Sequence, residues 1–444
     1  MSLEPANPLA VDPLLDDPET RIVVCCGSGG VGKTTTAAAL GLRAAERGRR
    51  VVVLTIDPAR RLAQSMGIDS LDNVPRQVPG IEGKGELHAM MLDMKRTFDE
   101  IVEAHADPER ARAILENPFY QSLSAGFAGT QEYMAMEKLG QLRATDAWDL
   151  IVVDTPPSRS ALDFLDAPKR LGSFLDGKLI RLLMAPAKVG GRAGMKFLNA
   201  GMSMMTGVLG KLLGGQLLRD VQTFVAAMDS MFGGFRTRAD ATFQLLQAPG
   251  TAFLVVAAPE RDALREAAYF VERLGAEKMP LAGLVLNRVH SSGAAQLSAE
   301  QALAAAENLD GGGIVDQLPG KAGLVGNSAP EAATDRVTSS GPGSPADQDG
   351  VRADTAAGAE EEKDTDEEVP VPVEELTAGL LRLHAERMRL LAREQRTRDR
   401  FTARHPEVPV AEVPALPGDV HDLAGLRAIG THLAEAGTGP ADEA

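Results

Sequence analysis

The sequence contains little cysteine and few aromatic side chains. Only two of its 444 residues are cysteines, Cys25 and Cys26, and they are adjacent. Two neighbouring thiols exclude a disulfide framework, a CxxC site and a metal cage built from thiolates alone. Phe, Tyr and Trp make up 4% of the chain, which disfavours a surface that binds single-stranded nucleic acid by stacking bases. We therefore expect no zinc and no nucleic acid as a partner.

Positive charge is also in deficit. Lys and Arg number 46 against 62 Asp and Glu, which gives a net charge of -16, and an acidic chain repels phosphate backbones. The N-terminal residues have no basic and apolar leader pattern, and no run of 18 or more apolar residues could cross a membrane. With cysteines that suit a reducing compartment, these features predict a cytoplasmic protein, with peripheral membrane association as the alternative.

Short apolar runs alternate with helical patterns along most of the chain. An Ala-rich helical pattern covers Thr34–Arg47 and ends before Gly48, a typical C-terminal helix cap. Strands that alternate with helices imply right-handed crossovers and a mostly parallel sheet. We therefore predict an α/β fold, a doubly wound parallel sheet with a helical subdomain inserted in it. The predicted strands are Ile22–Cys26, Val51–Ile56, Leu87–Leu92, Leu150–Val153, Phe253–Ala257 and Leu281–Leu286.

Changes in composition suggest where this organisation is interrupted. Residues 160–248 are helical in pattern and rich in Met, which suits core packing, an adaptable groove for hydrophobic segments, or a membrane-surface helix. Residues 326–372 have too few large apolar side chains to offset the entropy of ordering. The predicted parts are a flexible tail (1–19), the first part of the sheet core (20–94), a helical insertion (95–147), a core strand with the segment that follows it (148–159), a Met-rich helical subdomain (160–248), a second part of the core (249–325), an acidic disordered loop (326–372), C-terminal helices with a loop of the core (373–437) and a tail (438–444).

One motif carries a specific chemistry. Gly27-Ser28-Gly29-Gly30-Val31-Gly32-Lys33-Thr34 fits the pattern GxxxxGK[ST] and lies between a predicted strand and a predicted helix. Its glycines allow backbone N–H groups to face a phosphate, and the helix N-terminus adds positive potential. The motif predicts a nucleotide-binding phosphate loop in which Lys33 reaches the β- and γ-phosphates and Thr34 binds Mg²⁺.

Polar residues follow three of the predicted strands. Asp154 suits a carboxylate that holds a Mg²⁺-bound water, or it caps a following helix. Asp57, followed by Pro58, suits a switch residue that orients the attacking water, or it caps a helix in the same way. Asn287 suits a contact to the adenine edge, or it forms a turn. The residues alone leave each pair of interpretations open.

Several segments recur in an order that resembles the anion-transporting ATPase family. They are Gly27–Thr35 (GSGGVGKTT), Thr55–Arg60 (TIDPAR), Asp154–Ser158 (DTPPS), Pro259–Glu260, Asn287 and Val413–Val420 (VPALPGDV). This family includes the arsenite-pump ATPase and the eukaryotic ATPase that delivers tail-anchored membrane proteins. The resemblance implies a P-loop NTPase fold and hydrolysis of ATP with Mg²⁺. It also implies that Thr35 joins the ATP-binding loop, that Asp57 polarises the lytic water, that Asp154 opens the second switch, and that Asn287 and the loop around Pro414 contact adenine.

The chain departs from the family pattern at Ser28. The family loop reads GKGGVGKTT, and its first lysine supports hydrolysis in the site of the partner subunit. A serine supplies no such charge, so the resemblance implies a heterodimer with a homologous subunit that keeps the lysine, and a homodimer is the alternative. The cysteines that bind the metalloid in arsenite pumps, and the CxxC pair that binds zinc in tail-anchor ATPases, are absent from this sequence.

The implied function is therefore an ATP-binding and ATP-hydrolysing subunit that acts on a hydrophobic client or a membrane-protein partner. Two alternatives stay open. One is a regulatory ATP-binding subunit with little turnover of its own, paired with a homologue that keeps the lysine. The other is the energising subunit of an anion pump.

Overall fold

A computed structural model describes most of the chain. The described residues are 7–57, 61–123, 131–156, 220, 223–224, 234, 237–311 and 372–435. Most of the predicted Met-rich subdomain, the acidic loop up to residue 371, the C-terminal tail and residues 58–60 and 157–158 of the recurring segments lie outside this description. The chain forms two compact units, Met1–Gly293 with Leu390–Ala444, and Ala294–Arg389.

An eight-stranded sheet organises the first unit. The strands lie side by side in the order β3-β4-β2-β5-β1-β6-β7-β8. Every neighbouring pair is parallel except β3 with β4, so the predicted α/β fold with a mostly parallel sheet is confirmed. The strands are β1 Ile22–Cys26, β2 Arg50–Thr55, β3 Arg76–Gln77, β4 Glu86–Met91, β5 Leu150–Asp154, β6 Thr251–Ala257, β7 Leu281–Val289 and β8 Val410–Pro414.

Helices connect and cover the strands. The named helices are α1 Val11–Asp16, α2 Lys33–Glu46, α3 Arg61–Ser65, α4 Met94–His105, α5 Pro108–Leu115, α6 Pro118–Leu123, α7 Gln131–Ala144, α8 Arg261–Ala276, α9 Ala299–Gly311, α10 Val373–Arg404 and α11 Leu423–Glu435. Residues 237–247 are also helical. Within the described residues, no helix is both long and apolar enough to span a bilayer.

Both faces of the sheet are buried. Val24 and Cys26 belong to one core layer, which includes side chains of α4, α7 and α8. Val23 and Cys25 belong to the other, which includes side chains of α1, α2 and α11. A strand that is covered on both faces reads as a continuous apolar run, which explains why β1, β5 and β6 were visible in the sequence.

The structure describes residues 7–19 of the predicted flexible tail (1–19), and they include a short helix that packs on the core. Residues 11–16 form α1, whose Val11 and Leu15 side chains are fully buried. Asp12 accepts hydrogen bonds from both Nε and Nη2 of Arg43 on α2, as a paired carboxylate does with a guanidinium. The helix is only six residues long, so its two buried positions produced no periodicity that the sequence could show.

Candidate nucleotide-binding site

The polar residues singled out in the sequence meet at one edge of the sheet. β1, β2, β5 and β7 run parallel, so their carboxyl ends lie on the same side. The phosphate loop follows β1, and Asp57 lies two residues after the end of β2. Asp154 ends β5, and Asn287 lies near the end of β7. β1 lies between β5 and β6. Open α/β sheets bind ligands in a crevice outside the carboxyl ends of such strands.

Glycine is required at two positions of the phosphate loop. Gly27 has φ of +150°, and a Cβ there would lie 2.1 Å from the carbonyl oxygen of Val256 on β6. Gly32 has φ of +95°, and a Cβ there would lie 2.2 Å from Nδ2 of Asn287 on β7. The loop therefore passes in close contact with two strands before α2 begins at Lys33, a packing that any side chain would prevent.

Lys33 lies inside this loop. Its side chain is largely buried, and Nζ donates a hydrogen bond of 2.8 Å to the backbone oxygen of Ser28. Burial lowers the pKa of Lys33, while the nearby Asp154 carboxylate acts in the opposite direction. The ammonium group is thus held at the N-terminus of α2, where an anion bound by the loop N–H groups would meet it.

Asp154 is the central carboxylate of the site. It is completely buried, and its Oδ2 accepts hydrogen bonds from Thr34 Oγ1 (2.7 Å) and Thr55 Oγ1 (2.9 Å). Its Oδ1 is buried without a hydrogen-bond partner among the described residues. Burial raises the pKa of Asp154 to about 6, although both threonine hydrogen bonds and Lys33 favour the charged form. The alternative of a helix cap concerns residues from 157 onward, which are not described.

Asp57 lines the same cavity as Lys33 and Thr34. Its backbone N–H donates to Thr55 Oγ1 at 3.2 Å, and the same hydroxyl donates to Asp154. The strand end is held from another side by Gln131 of α7, whose Nε2 donates to the Ile56 carbonyl at 2.9 Å. Since residues 58–60 are not described, the switch and helix-cap interpretations of Asp57 both stay predictions.

Asn287 has a structural contact that sequence reasoning missed. Its Nδ2 donates a hydrogen bond of 2.8 Å to the carbonyl oxygen of Val31, so it ties β7 to the phosphate loop. β8 continues the sheet beside it, with Val413 opposite Asn287. Pro414, the other predicted adenine contact, ends β8 and lines the cavity together with Asn287. No local pattern in the sequence could have indicated the contact with Val31, because it joins residues 256 positions apart.

These elements enclose a cavity of about 1270 Å³. Its walls come from the phosphate loop and α2, from the end of β7, from α3, and from the segment Val413–His421. Small-molecule sites in proteins commonly have volumes of about 300–1000 Å³, so the cavity has room for a nucleoside triphosphate. Sequence reasoning did not identify four basic side chains that also line it, namely Arg61, Arg288, His290 and His421.

A family model for anion-transporting ATPases matches residues 20–307 of the chain. The chain belongs to the anion-transporting ATPase family. It is similar to three fungal proteins named ATPase GET3. The protein from Malassezia globosa is 29% identical over 174 residues, which cover 39% of this chain and 50% of that relative. The protein from Podospora anserina is 27% identical, in an alignment that covers 62% of this chain and 75% of that relative. The protein from Ajellomyces dermatitidis is also 27% identical, and its alignment covers 65% of this chain and 77% of that relative.

Membership of this family makes the chain an ATPase with ATP as its substrate. Its two cysteines lie at the end of β1, directly before the phosphate loop. Cys25 and Cys26 are buried, and burial raises the pKa of both thiols, that of Cys26 to about 12. A thiol that stays protonated is a poor nucleophile and metal ligand. In this ATPase the two residues therefore act as small core side chains.

Proposed function

We propose that this ATPase binds Mg²⁺-ATP in the cavity and works as one subunit of a dimer that acts on a hydrophobic client or a membrane partner. A single observation carries the proposal. The buried carboxylate of Asp154 accepts a hydrogen bond from the Thr34 hydroxyl at the start of α2, next to Lys33. Its second oxygen has no hydrogen-bond partner among the described residues.

The phosphate chain would bind along Gly27–Thr35. In this proposal the loop N–H groups and the N-terminus of α2 hold the phosphate oxygens. Lys33 exchanges its bond to the Ser28 carbonyl for one to the β- and γ-phosphates. The close packing at Gly27 and Gly32 supports this assignment, because it fixes the loop backbone before the ligand arrives.

The residues around Thr34 fit a magnesium ion. Hydroxyl and carboxylate oxygens are the donors that Mg²⁺ prefers. A buried carboxylate oxygen without a hydrogen bond is costly, and a hydrated cation beside Thr34 would satisfy Asp154 Oδ1. Thr34 would then bind the ion directly and Asp154 through a bound water. When bound, Mg²⁺ neutralises charge on the transferred phosphate and orients it.

Asp57 would orient the attacking water. It lies two residues beyond the end of β2 and lines the cavity on the same sheet edge as Lys33. A carboxylate in this place can accept a hydrogen bond from water and align it with the γ-phosphate. The Thr55 hydroxyl donates to the Asp154 carboxylate and accepts from the backbone N–H of Asp57, so one side chain links the Asp154 carboxylate to the backbone of Asp57.

Ser28 bears on the choice of partner. It occupies the position where the family pattern has a lysine that acts across the dimer, and cationic stabilisation of this kind is worth roughly 10³-fold in rate or more. The Ser28 side chain carries no charge, and its backbone oxygen holds Lys33. This supports a heterodimer with a homologous subunit that keeps the lysine. It also favours a second candidate function, a regulatory subunit that binds ATP with little turnover of its own.

The proposed client is hydrophobic because of residues 160–248. Seven methionines fall between residues 184 and 231, and flexible Met side chains can line a groove that accepts varied apolar segments. In the family resemblance, closure of the dimer on ATP forms such a groove and hydrolysis dismantles it. The work would take place in the cytoplasm or at a membrane surface.

The test measures how much Mg²⁺ tightens ATP binding. Calorimetry in Mg²⁺ and in EDTA gives the two dissociation constants for the wild type and for Asp154→Asn. We expect Mg²⁺ to tighten ATP binding to the wild type. In Asp154→Asn, we expect this tightening to be smaller by roughly 10- to 100-fold. Asp262→Asn, which changes an exposed carboxylate on α8, serves as the matched control. If Asp154→Asn keeps the whole gain, the assignment of Asp154 to the ion is wrong.

A further inference from the structure

β7 contains an inserted residue at Arg288. The pairing of β7 with β8 advances regularly from Leu284 opposite Val410 to Asn287 opposite Val413, and the next pair joins Val289 to Pro414. Arg288 therefore has no opposite residue in β8 and forms a β-bulge. Its φ of +61° lies in the left-handed region, which residues other than glycine rarely adopt.

Core packing shows the same insertion. Leu284 and Leu286 belong to one core layer and Val285 to the other, as expected for successive residues of a strand. Regular alternation would place Val289 with Val285, but Val289 packs against the layer of Leu284 and Leu286. The alternation shifts by one position at the bulge, which frees Arg288 from both layers. Bulges beside functional sites commonly redirect a side chain in this way.

The backbone around Arg288 is fixed from three sides. On one side Asn287 bonds the carbonyl oxygen of Val31 in the phosphate loop. On the other, Val289 accepts a hydrogen bond of 2.9 Å from the N–H of Ala415. Next in sequence, His290 bonds Glu394 of α10 through its ring (Nδ1 to Oε1, 2.6 Å) and through its backbone N–H (3.2 Å). Strained backbone persists only where its surroundings hold it, and it is concentrated at functional sites.

The Arg288 side chain is exposed and lines the nucleotide cavity. Within the described residues it makes no hydrogen bond or ion pair. Lys33 and the loop N–H groups already occupy the phosphate end of the cavity. Arg288 lies beside the other wall, where Val289 is bonded to Ala415 and the apolar residues Pro414, Leu416 and Pro417 follow. A planar guanidinium packs face to face with aromatic rings, and a nucleotide base is such a ring.

We propose that Arg288 packs against the base of the bound nucleotide and gives the site a preference for purines over pyrimidines. This inference rests on the proposed binding of ATP in the cavity. It assigns to the bulge the task of holding the guanidinium against the plane of the base, next to the apolar wall. A purine offers the larger ring surface, so it gains more from this contact than a pyrimidine does.

The experiment compares three ligands by calorimetry in the presence of Mg²⁺: ATP, CTP and inorganic tripolyphosphate. The test variant is Arg288→Asn, because Asn tolerates the left-handed backbone and removes the guanidinium. We expect Arg288→Asn to weaken ATP binding roughly 5- to 30-fold, to weaken CTP binding less, and to leave tripolyphosphate binding unchanged. Arg288→Gly, which also fits this backbone, should behave like Arg288→Asn.

Two controls separate this proposal from the binding of ATP itself. Lys33→Ala should weaken the binding of all three ligands. A wild-type protein that binds none of them would contradict the proposed function rather than the role of Arg288. Arg265→Asn, which changes an exposed arginine on α8, should change no dissociation constant. Unchanged ATP affinity in Arg288→Asn would overturn the proposal. An equal loss for ATP and tripolyphosphate would overturn it too, because it would place the guanidinium on the phosphates.

Discussion

At the scale of residues, Asp154 concentrates the chemistry of the site in one buried group. The sequence could predict a carboxylate at this strand end, because a polar residue after an apolar run is visible in one dimension. It could not predict the raised pKa, which depends on complete burial, or the paired hydroxyls of Thr34 and Thr55, which come from two other segments. Asn287 was predicted as an adenine contact, but its bond to Val31 depends on two strands meeting in space.

The pKa of Asp154 predicts how stability depends on pH in the nucleotide-free and metal-free protein. A carboxyl whose pKa rises from 3.8 to about 6 on folding stabilises the fold fully below pH 4, and this stabilisation is lost as the pH rises through 6. Asp154→Asn removes the charge. We therefore expect Asp154→Asn to be more stable than the wild type by roughly 3 kcal/mol at pH 8 and by about half of that at pH 5.

Denaturant unfolding of both proteins at the two pH values measures this difference. Asp149→Asn is unsuitable as a control because a hydrogen bond from Arg50 lowers the pKa of Asp149. Asp262 is exposed and pairs with Arg265 only at the surface, where an ion pair contributes little to stability, so Asp262→Asn should show no such trend. If the difference in stability between Asp154→Asn and the wild type is the same at both pH values, burial does not raise the pKa of Asp154.

At the scale of elements, strands buried on both faces were predictable, whereas the edge strand β8 and the bulge in β7 were not. β1, β5 and β6 are covered on both faces, so they appear as apolar runs whatever the rest of the chain does. β8 ends in Pro414, is the last strand in the sheet order and meets only an isolated bridge from Pro8 beyond β7, and its pattern did not distinguish it from a loop. The bulge at Arg288 was also hidden, because an inserted residue is defined only by the partner strand.

The helix α1 gives an element-scale prediction. Leu15 is fully buried in the core layer that includes α2, whereas its neighbour Leu14 is only partly buried. Leu15→Ala should lower the free energy of unfolding by about 2–5 kcal/mol, and Leu14→Ala should cost clearly less. Both values come from denaturant unfolding of the full chain. If neither variant is destabilised, residues 7–19 behave as the flexible tail that the sequence suggested.

At the scale of the whole molecule, the chain has one phosphate loop and no lysine at position 28. The proposed assembly follows from that charge. In the proposed assembly, the chain would supply residues that bind ATP and Mg²⁺, and a homologous subunit would supply the cation that acts across the dimer. The motif suggests this assembly because it departs from the family pattern at a single residue, Ser28, whereas the identity of the partner is encoded in another sequence.

The most direct test of the central claim is ATP turnover by the purified chain, measured as phosphate release with Lys33→Ala as the blank. We expect the chain alone to bind ATP but to release phosphate at the level of the blank, and we expect Ser28→Lys to raise turnover clearly above it. Turnover by the wild-type chain well above the blank and unchanged in Ser28→Lys would show that the site completes its chemistry without the missing lysine, and the proposed heterodimer would then be wrong.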